Sequence, residues 1–120
     1  ITIIIPRHIN RVDQIISQIN ELGLNVISRR SNKKKLDNID IYLVDTFGES
    51  KKFYKFATTV FLGGSIIKKG GQNPLEPARF GAKILHGPNI DNFRDVYKYL
   101  NKLKISEPCV LVISICVCCP

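Results

Sequence analysis

Short apolar runs alternate along this chain with amphipathic stretches. Residues 2–5 form an Ile-rich run, which is typical of a parallel-sheet strand that is buried on both faces. Residues 11–22 place apolar side chains at helical spacing, and Gly23 is a suitable residue to end that helix. The chain is therefore predicted to open with a strand followed by a helix.

The same alternation continues to about residue 105. The pattern predicts strands at 24–28, 39–44, 60–62 and 83–86, and helices at 49–57, 74–80 and 93–103. Because strands separated by helices form βαβ units, we expect an α/β, Rossmann-like fold with a mostly parallel sheet and helices on both faces. Ligands bind beyond the carboxyl ends of the strands in such sheets. The candidate loops are 6–9, 45–49, 63–73 and 87–92.

The segment 70–77 carries the strongest chemical signal. Asn73 is suited to cap a helix that has Pro74 at its first position. The glycine pair before it allows the backbone to approach a ligand closely. A helix N-terminus presents free N–H groups and positive dipole charge, so we expect an anion site here. Glu76 could accept bonds from sugar hydroxyls or cap the Asn73 N–H, and the spacing leaves both open.

The sequence Gly-Gly-Gln-Asn-Pro-Leu-Glu-Pro at 70–77 resembles the signature of bacterial 3-deoxy-D-manno-octulosonic acid (Kdo) transferases. Phe80-Gly81, Gly87-Pro88-Asn89 and Asn92-Phe93 extend the similarity. Three earlier blocks look like family blocks in the family's order: Pro-Arg-His at 6–8, Asp-Thr-Phe-Gly-Glu at 45–49 and Gly-Gly-Ser at 63–65. The resemblance covers about residues 1–105.

The resemblance implies a two-domain GT-B glycosyltransferase that moves Kdo from CMP-Kdo to a lipid A precursor in lipopolysaccharide biosynthesis. Residues 1–105 would form a partial CMP-sugar-binding domain, with no metal and no other cofactor. The acceptor would be bound by an N-terminal domain, which also carries the general base, so no catalytic residue is expected in this chain. The full enzyme would lie at the cytoplasmic face of the inner membrane, and this chain alone would be soluble and cytoplasmic.

The resemblance also implies which residues contact the donor. Arg7 and His8 would lie beside the nucleotide, where a guanidinium can neutralise phosphate through a planar fork of donors. Glu76 would hold the ribose hydroxyls. The predicted donor site comprises Arg7, His8, Gly48, Glu49, Gly64, Ser65, Gly71, Gln72, Asn73 and Glu76. The family commonly has His where Gln72 stands, which removes any imidazolium charge. Asp45 is expected to be a turn residue rather than a ligand.

The end of the chain departs from the family pattern. All four Cys lie at or beyond residue 109, and residues 106–120 are predicted to form an aberrant apolar tail. A start inside a strand suggests a fragment, which would be inactive alone because the domain with the general base is absent. The start and the tail together support one alternative, a non-functional truncated remnant, and the other is a related GT-B enzyme that uses another sugar nucleotide. The number of Kdo units added stays open.

The net charge of +8 favours anionic partners. These include nucleotides and an anionic membrane surface, and the charge by itself does not choose between them. A nucleic-acid-binding domain would place aromatic side chains among clustered lysines. Phe53 and Tyr54 do lie near Lys51 and Lys52, but a helix that packs its apolar side explains them more simply. We therefore expect no nucleic acid partner.

Overall fold

The computed structural model describes residues 1–31 and 37–109 of the chain. Its strands pair in parallel, in two three-stranded sheets, so the predicted α/β class with parallel strands is confirmed. The chain divides into two compact units, Ile1–Glu49 and Ser50–Pro120. Part of the segment between the predicted strands at 24–28 and 39–44 lies outside the described residues, as does most of the predicted tail.

The first unit is a three-stranded sheet with one long helix. Its strands are β1 (Thr2–Ile4), β2 (Val26–Ser28) and β3 (Ile41–Leu43), in the order β1-β3-β2. A 3₁₀ turn at Ile9–Arg11 leads into α1 (Val12–Glu21). The helix buries Val12, Ile15 and Ile19, which are three of the apolar side chains that occur at helical spacing in the sequence. Gly23 follows it with φ of +73°, a left-handed conformation that glycine adopts without strain.

The burial of β1 differs from the prediction. Ile4 is buried, whereas Thr2 is exposed and Ile3 keeps 38% of its surface exposed. Within residues 1–31 and 37–109, the strand lies at the edge of its sheet, with β3 as its one neighbour. The prediction of burial on both faces is therefore wrong for this strand, because an Ile-rich composition reports β-propensity and does not say how many faces are covered.

The second unit contains the glycine-rich loops and their supporting elements. Its helices are α2 (Ser50–Tyr54), α3 (Leu75–Arg79) and α4 (Arg94–Lys102). Its strands are β4 (Thr59–Leu62), β5 (Lys83–His86) and β6 (Ser106–Pro108), in the order β4-β5-β6. Leu62, Ala82, Ile84 and Tyr97 form the buried core of this unit.

The strand β6 begins where the aberrant tail was predicted to begin. Ser106 is buried and pairs with Ile84 of the central strand β5. Cys109 continues the ladder, since its N–H donates to His86 O at 2.7 Å. The first residues of the predicted tail thus belong to the sheet of the second unit.

Helix length also bears on membrane interaction. The longest helix in residues 1–31 and 37–109 has 10 residues, about half of what a bilayer-spanning helix needs. No helix in these ranges combines the length and the apolar character that a membrane crossing requires.

Candidate functional site

The parallel strands β1 and β3 have their carboxyl ends side by side, at the same end of the first sheet. The two strands are neighbours, and Val44 N–H donates to Ile4 O at 2.9 Å just beyond them. Arg7 and His8 follow β1 with exposed side chains, and Gly48 lies in the turn after β3. The structure thus brings the family-like blocks at 6–8 and 45–49 to the carboxyl end of the same sheet, as the parallel topology predicts.

The carboxylate of Glu49 is already engaged within the first unit. Arg29 Nη2 donates to Glu49 Oε1 at 2.9 Å, and Arg29 Nε and the Thr46 hydroxyl donate to Oε2. Hydrogen bonds from the guanidinium to Glu49, and secondarily to the Tyr42 hydroxyl, raise the pKa of Arg29 above its ordinary value. Any ligand contact by this carboxylate must therefore share it with Arg29, whose importance was missed by the sequence reasoning.

Asp45 also serves the local structure. The residue is 7% exposed, and its Oδ1 accepts a hydrogen bond from Arg30 N–H at 3.1 Å. This bond ties the loop after β2 to the loop after β3, which are neighbouring strands. The carboxylate thus bonds a partner 15 residues away in sequence rather than its own turn, and whether it also contacts a ligand stays a prediction.

In the second unit, the loop after β4 folds back on itself. Gly71 N–H donates to Gly64 O at 3.0 Å, and both glycines adopt left-handed φ angles near +75°. The structure thus brings together two of the predicted donor-site glycines, which lie 7 residues apart in the chain. Backbone torsions of this kind favour glycine strongly, so the loop shape depends on both.

Ser65 belongs to this loop and is fully buried. Its hydroxyl donates to Leu62 O at 2.7 Å and accepts from Gly87 N–H at 2.8 Å, which joins the ends of β4 and β5. A hydroxyl has one donor and two acceptor positions, so most of its capacity is used inside the protein. The side chain is therefore part of the framework, and the predicted hydrogen bond from it to a ligand has little support.

The glycine pair at 70–71 makes room for the protein's own chain. A Cβ at Gly70 would lie 2.5 Å from Cγ and Oδ1 of Asn92, and a Cβ at Gly71 would lie 3.1 Å from Asn89 O. The interpretation that both glycines serve the close approach of a ligand is thus corrected for Gly70, because its free side is filled by Asn92. The sequence showed the need for glycine but not the neighbour that imposes it.

The helix that follows is capped as predicted but is short. Asn73 Oδ1 accepts from Leu75 N–H at 3.0 Å, and Pro74 already has helical torsions. The helix α3 has only 5 residues, and one of its first N–H groups is occupied by this cap. An anion site built on the dipole of this helix is therefore weaker than the sequence indicated.

Glu76 keeps an available carboxylate. Its Oε1 lies 3.2 Å from Lys51 Nζ of α2, in an ion pair whose side chains are 41% and 70% exposed. Among the described residues it makes no capping bond to the Asn73 N–H. Exposed ion pairs are weak, typically about 0–1 kcal/mol. A ligand could thus displace Lys51 at little cost.

Gln72 is anchored through its backbone. The hydroxyl of Tyr97, a fully buried residue of α4, donates to Gln72 O at 2.9 Å. The Tyr97 ring also packs on the ring of His86 at 4.5 Å between centroids. Tyr97 lies in the helix predicted at 93–103, and the helical pattern does not reveal the partner of its hydroxyl.

Burial raises the pKa of Tyr97 to about 12 from an ordinary value of 10.0. Between these pH values the unfolded chain releases the phenol proton and the folded chain retains it, so stability should fall as the pH rises. We expect a loss of roughly 2–3 kcal/mol, at about 1.4 kcal/mol per pKa unit. Denaturant unfolding at successive pH values would measure it. Tyr97→Phe should abolish this part of the pH dependence, and an unchanged alkaline profile in that variant would contradict the assignment.

The chain is similar in sequence to several bacterial proteins of known name. No protein-family model matches it. The 3-deoxy-D-manno-octulosonic acid transferase of Rickettsia felis is 41% identical over 96 residues, which are 80% of this chain and 20% of that protein. The transferase of Haemophilus influenzae is 31% identical over 98 residues, or 82% of this chain and 23% of that protein. The chain thus spans about a fifth of the length of these curated relatives.

A solved structure shares the fold. The C-terminal CMP-Kdo binding domain of WaaA from Acinetobacter baumannii matches with a TM-score of 0.83 and 27% sequence identity. The match covers 90% of this chain and 56% of that one. The likeness therefore extends across nearly the whole of the present sequence.

Proposed function

This chain is similar in sequence and in fold to the C-terminal domain of 3-deoxy-D-manno-octulosonic acid transferases, and from this premise we propose that it is the donor-binding half of such an enzyme. Its ligand would be CMP-Kdo. The whole enzyme would transfer Kdo to a lipid A precursor in lipopolysaccharide biosynthesis. The observation that carries the proposal is the match to a domain that is itself described as binding CMP-Kdo.

The chemistry of the candidate residues suits this donor. CMP-Kdo carries a phosphate, a carboxylate and ribose hydroxyls, and each needs a different kind of partner. The exposed guanidinium of Arg7 suits the phosphate. The side-chain amide of Gln72 offers a donor and an acceptor, and the carboxylate of Glu76 suits hydroxyl groups. Asn73 and Ser65 serve mainly as supports.

The proposed mechanism divides the work between two domains. A displacement at the anomeric carbon needs a general base for the acceptor hydroxyl, and we assign that base to the N-terminal domain. The present half would bind the donor and stabilise the negative charge that develops on the leaving CMP phosphate. We therefore predict binding without turnover for this chain alone. The acceptor and the placement at a membrane face also belong to this proposal.

Calorimetric titration of the full chain with CMP and with CMP-Kdo tests the proposal. We expect saturable binding of both, with UMP and AMP as controls that bind more weakly. Arg7→Met should weaken CMP binding about 10-fold, the loss of one charge-assisted contact to phosphate. No saturable heat from a folded chain would favour the truncated remnant. Preference for UMP or AMP would favour a related glycosyltransferase with another sugar nucleotide.

A further inference from the structure

Two asparagines hold the loop after β4 at both of its ends. Asn89 donates its backbone N–H to Ser65 O and its Nδ2 to Ile66 O, both at 2.8 Å. Asn92 donates its backbone N–H to Gly70 O and its Nδ2 to Lys69 O, both at 3.0 Å. Each asparagine thus binds two adjacent carbonyls, so the segment 65–70 is fastened at its beginning and at its end.

The fit at the second end is steric as well as polar. Gly70 has φ of +79°, and the space where a Cβ would stand is filled by the Asn92 side chain, 2.5 Å from that position. The loop there needs glycine for its torsion and for its contact with Asn92. The conformation of the loop and the position of this asparagine therefore depend on each other.

We propose that Asn89 and Asn92 are positioning residues that hold residues 64–72 in their donor-binding shape before the donor arrives. This inference rests on the proposed function and adds a role to the Gly87–Asn92 segment, which the donor site leaves unassigned. A loop with three left-handed glycines has many accessible conformations when it is free. Ordering it on binding would cost about 1 kcal/mol or more per residue, and pre-organisation removes that cost from the binding step.

The test compares Asn92→Ala and Asn89→Ala with the unchanged full chain. We expect each to weaken CMP binding about 3- to 10-fold, the range of one lost hydrogen bond. Hydrogen exchange at residues 64–72 of the ligand-free protein should become faster in both variants. Asn101→Ala is the matched control, because the Asn101 side chain also makes one hydrogen bond, which it accepts from Ser106 at the far end of α4. It should change neither measurement.

The possible outcomes separate the two proposals. Faster loop exchange with weaker CMP binding, at an unchanged melting temperature, supports the positioning role. CMP binding of unchanged strength in both variants would overturn it and leave the proposed function standing. A wild-type chain that is folded and does not bind CMP would overturn the proposed function and this ligand role together.

Discussion

Replacing Gly87 with alanine is expected to lower the free energy of unfolding by about 3 kcal/mol, the upper part of the usual range for overpacking. The new Cβ would lie 2.5 Å from Ser65 O, 2.7 Å from Ser65 C and 2.8 Å from Ile66 N. All three are backbone atoms, so no side-chain rotation relieves the clash. Gly87 does not have a positive φ, and the penalty is therefore steric rather than conformational.

The displacement would also disturb a buried hydrogen bond. Gly87 N–H donates to the fully buried Ser65 hydroxyl at 2.8 Å, and a shift of the chain here leaves two polar groups short of a partner. Gly81→Ala is the matched control, since Gly81 has a φ of +82° but open space around its Cβ position. It should cost about 1 kcal/mol through the torsion alone. Urea unfolding of both variants provides the comparison, and equal losses would refute the steric explanation.

The second large effect concerns ligand binding. Glu76→Gln is expected to weaken CMP binding about 10- to 100-fold, since a hydrogen bond to a charged group contributes about 1.5–3 kcal/mol. The Glu76 side chain is 41% exposed and forms a surface ion pair with Lys51, so its carboxylate is accessible to ribose hydroxyls. Its loss should change stability by less than about 1 kcal/mol. Calorimetric titration with CMP and with 2′-deoxy-CMP measures the effect on each ligand.

The deoxynucleotide and a lysine variant serve as controls for this prediction. 2′-Deoxy-CMP lacks one of the hydroxyls, so Glu76→Gln should weaken its binding less than that of CMP. Lys51→Met removes the ion-pair partner at 3.2 Å but keeps the carboxylate, and CMP affinity should stay within about 2-fold. Equal losses of affinity for CMP and 2′-deoxy-CMP would argue against a contact between Glu76 and the ribose. A large loss of CMP affinity in Lys51→Met would indicate that the charges at this position affect binding without such a contact.

Local patterns predicted most of the secondary structure. The strand at Lys83–His86 lies where it was predicted, and α1 differs by one residue at each end from the predicted 11–22. Both depend on periodic apolar side chains, which the sequence displays directly. The cap by Asn73 is also local, since its partner Leu75 is two residues away. Features that depend on near neighbours in the chain could therefore be predicted.

The features that the sequence did not predict are contacts between residues far apart in the chain. The occupation of Glu49 by Arg29 joins residues 20 apart, and the bond from Gly87 to Ser65 joins residues 22 apart. Neither pairing shows in a local pattern, because strand order decides which loop ends meet. The contact of Ser65 with a ligand stays a prediction, and the structure adds that its buried hydroxyl already bonds the ends of two strands.

The sequence by itself determined the α/β class and the family resemblance, because these depend on periodicity and on short motifs, and it predicted the loops where a ligand is expected. Only the tertiary structure decided which residues of the motifs have their polar groups bonded within the protein and which have them exposed at the surface. Parallel pairing of β4 with β5 brings residues 63–73 against residues 87–92, and the asparagines there fill the space that the glycines leave. Whether a glycine of these motifs serves a ligand or its own chain depends on that packing, which no single segment contains.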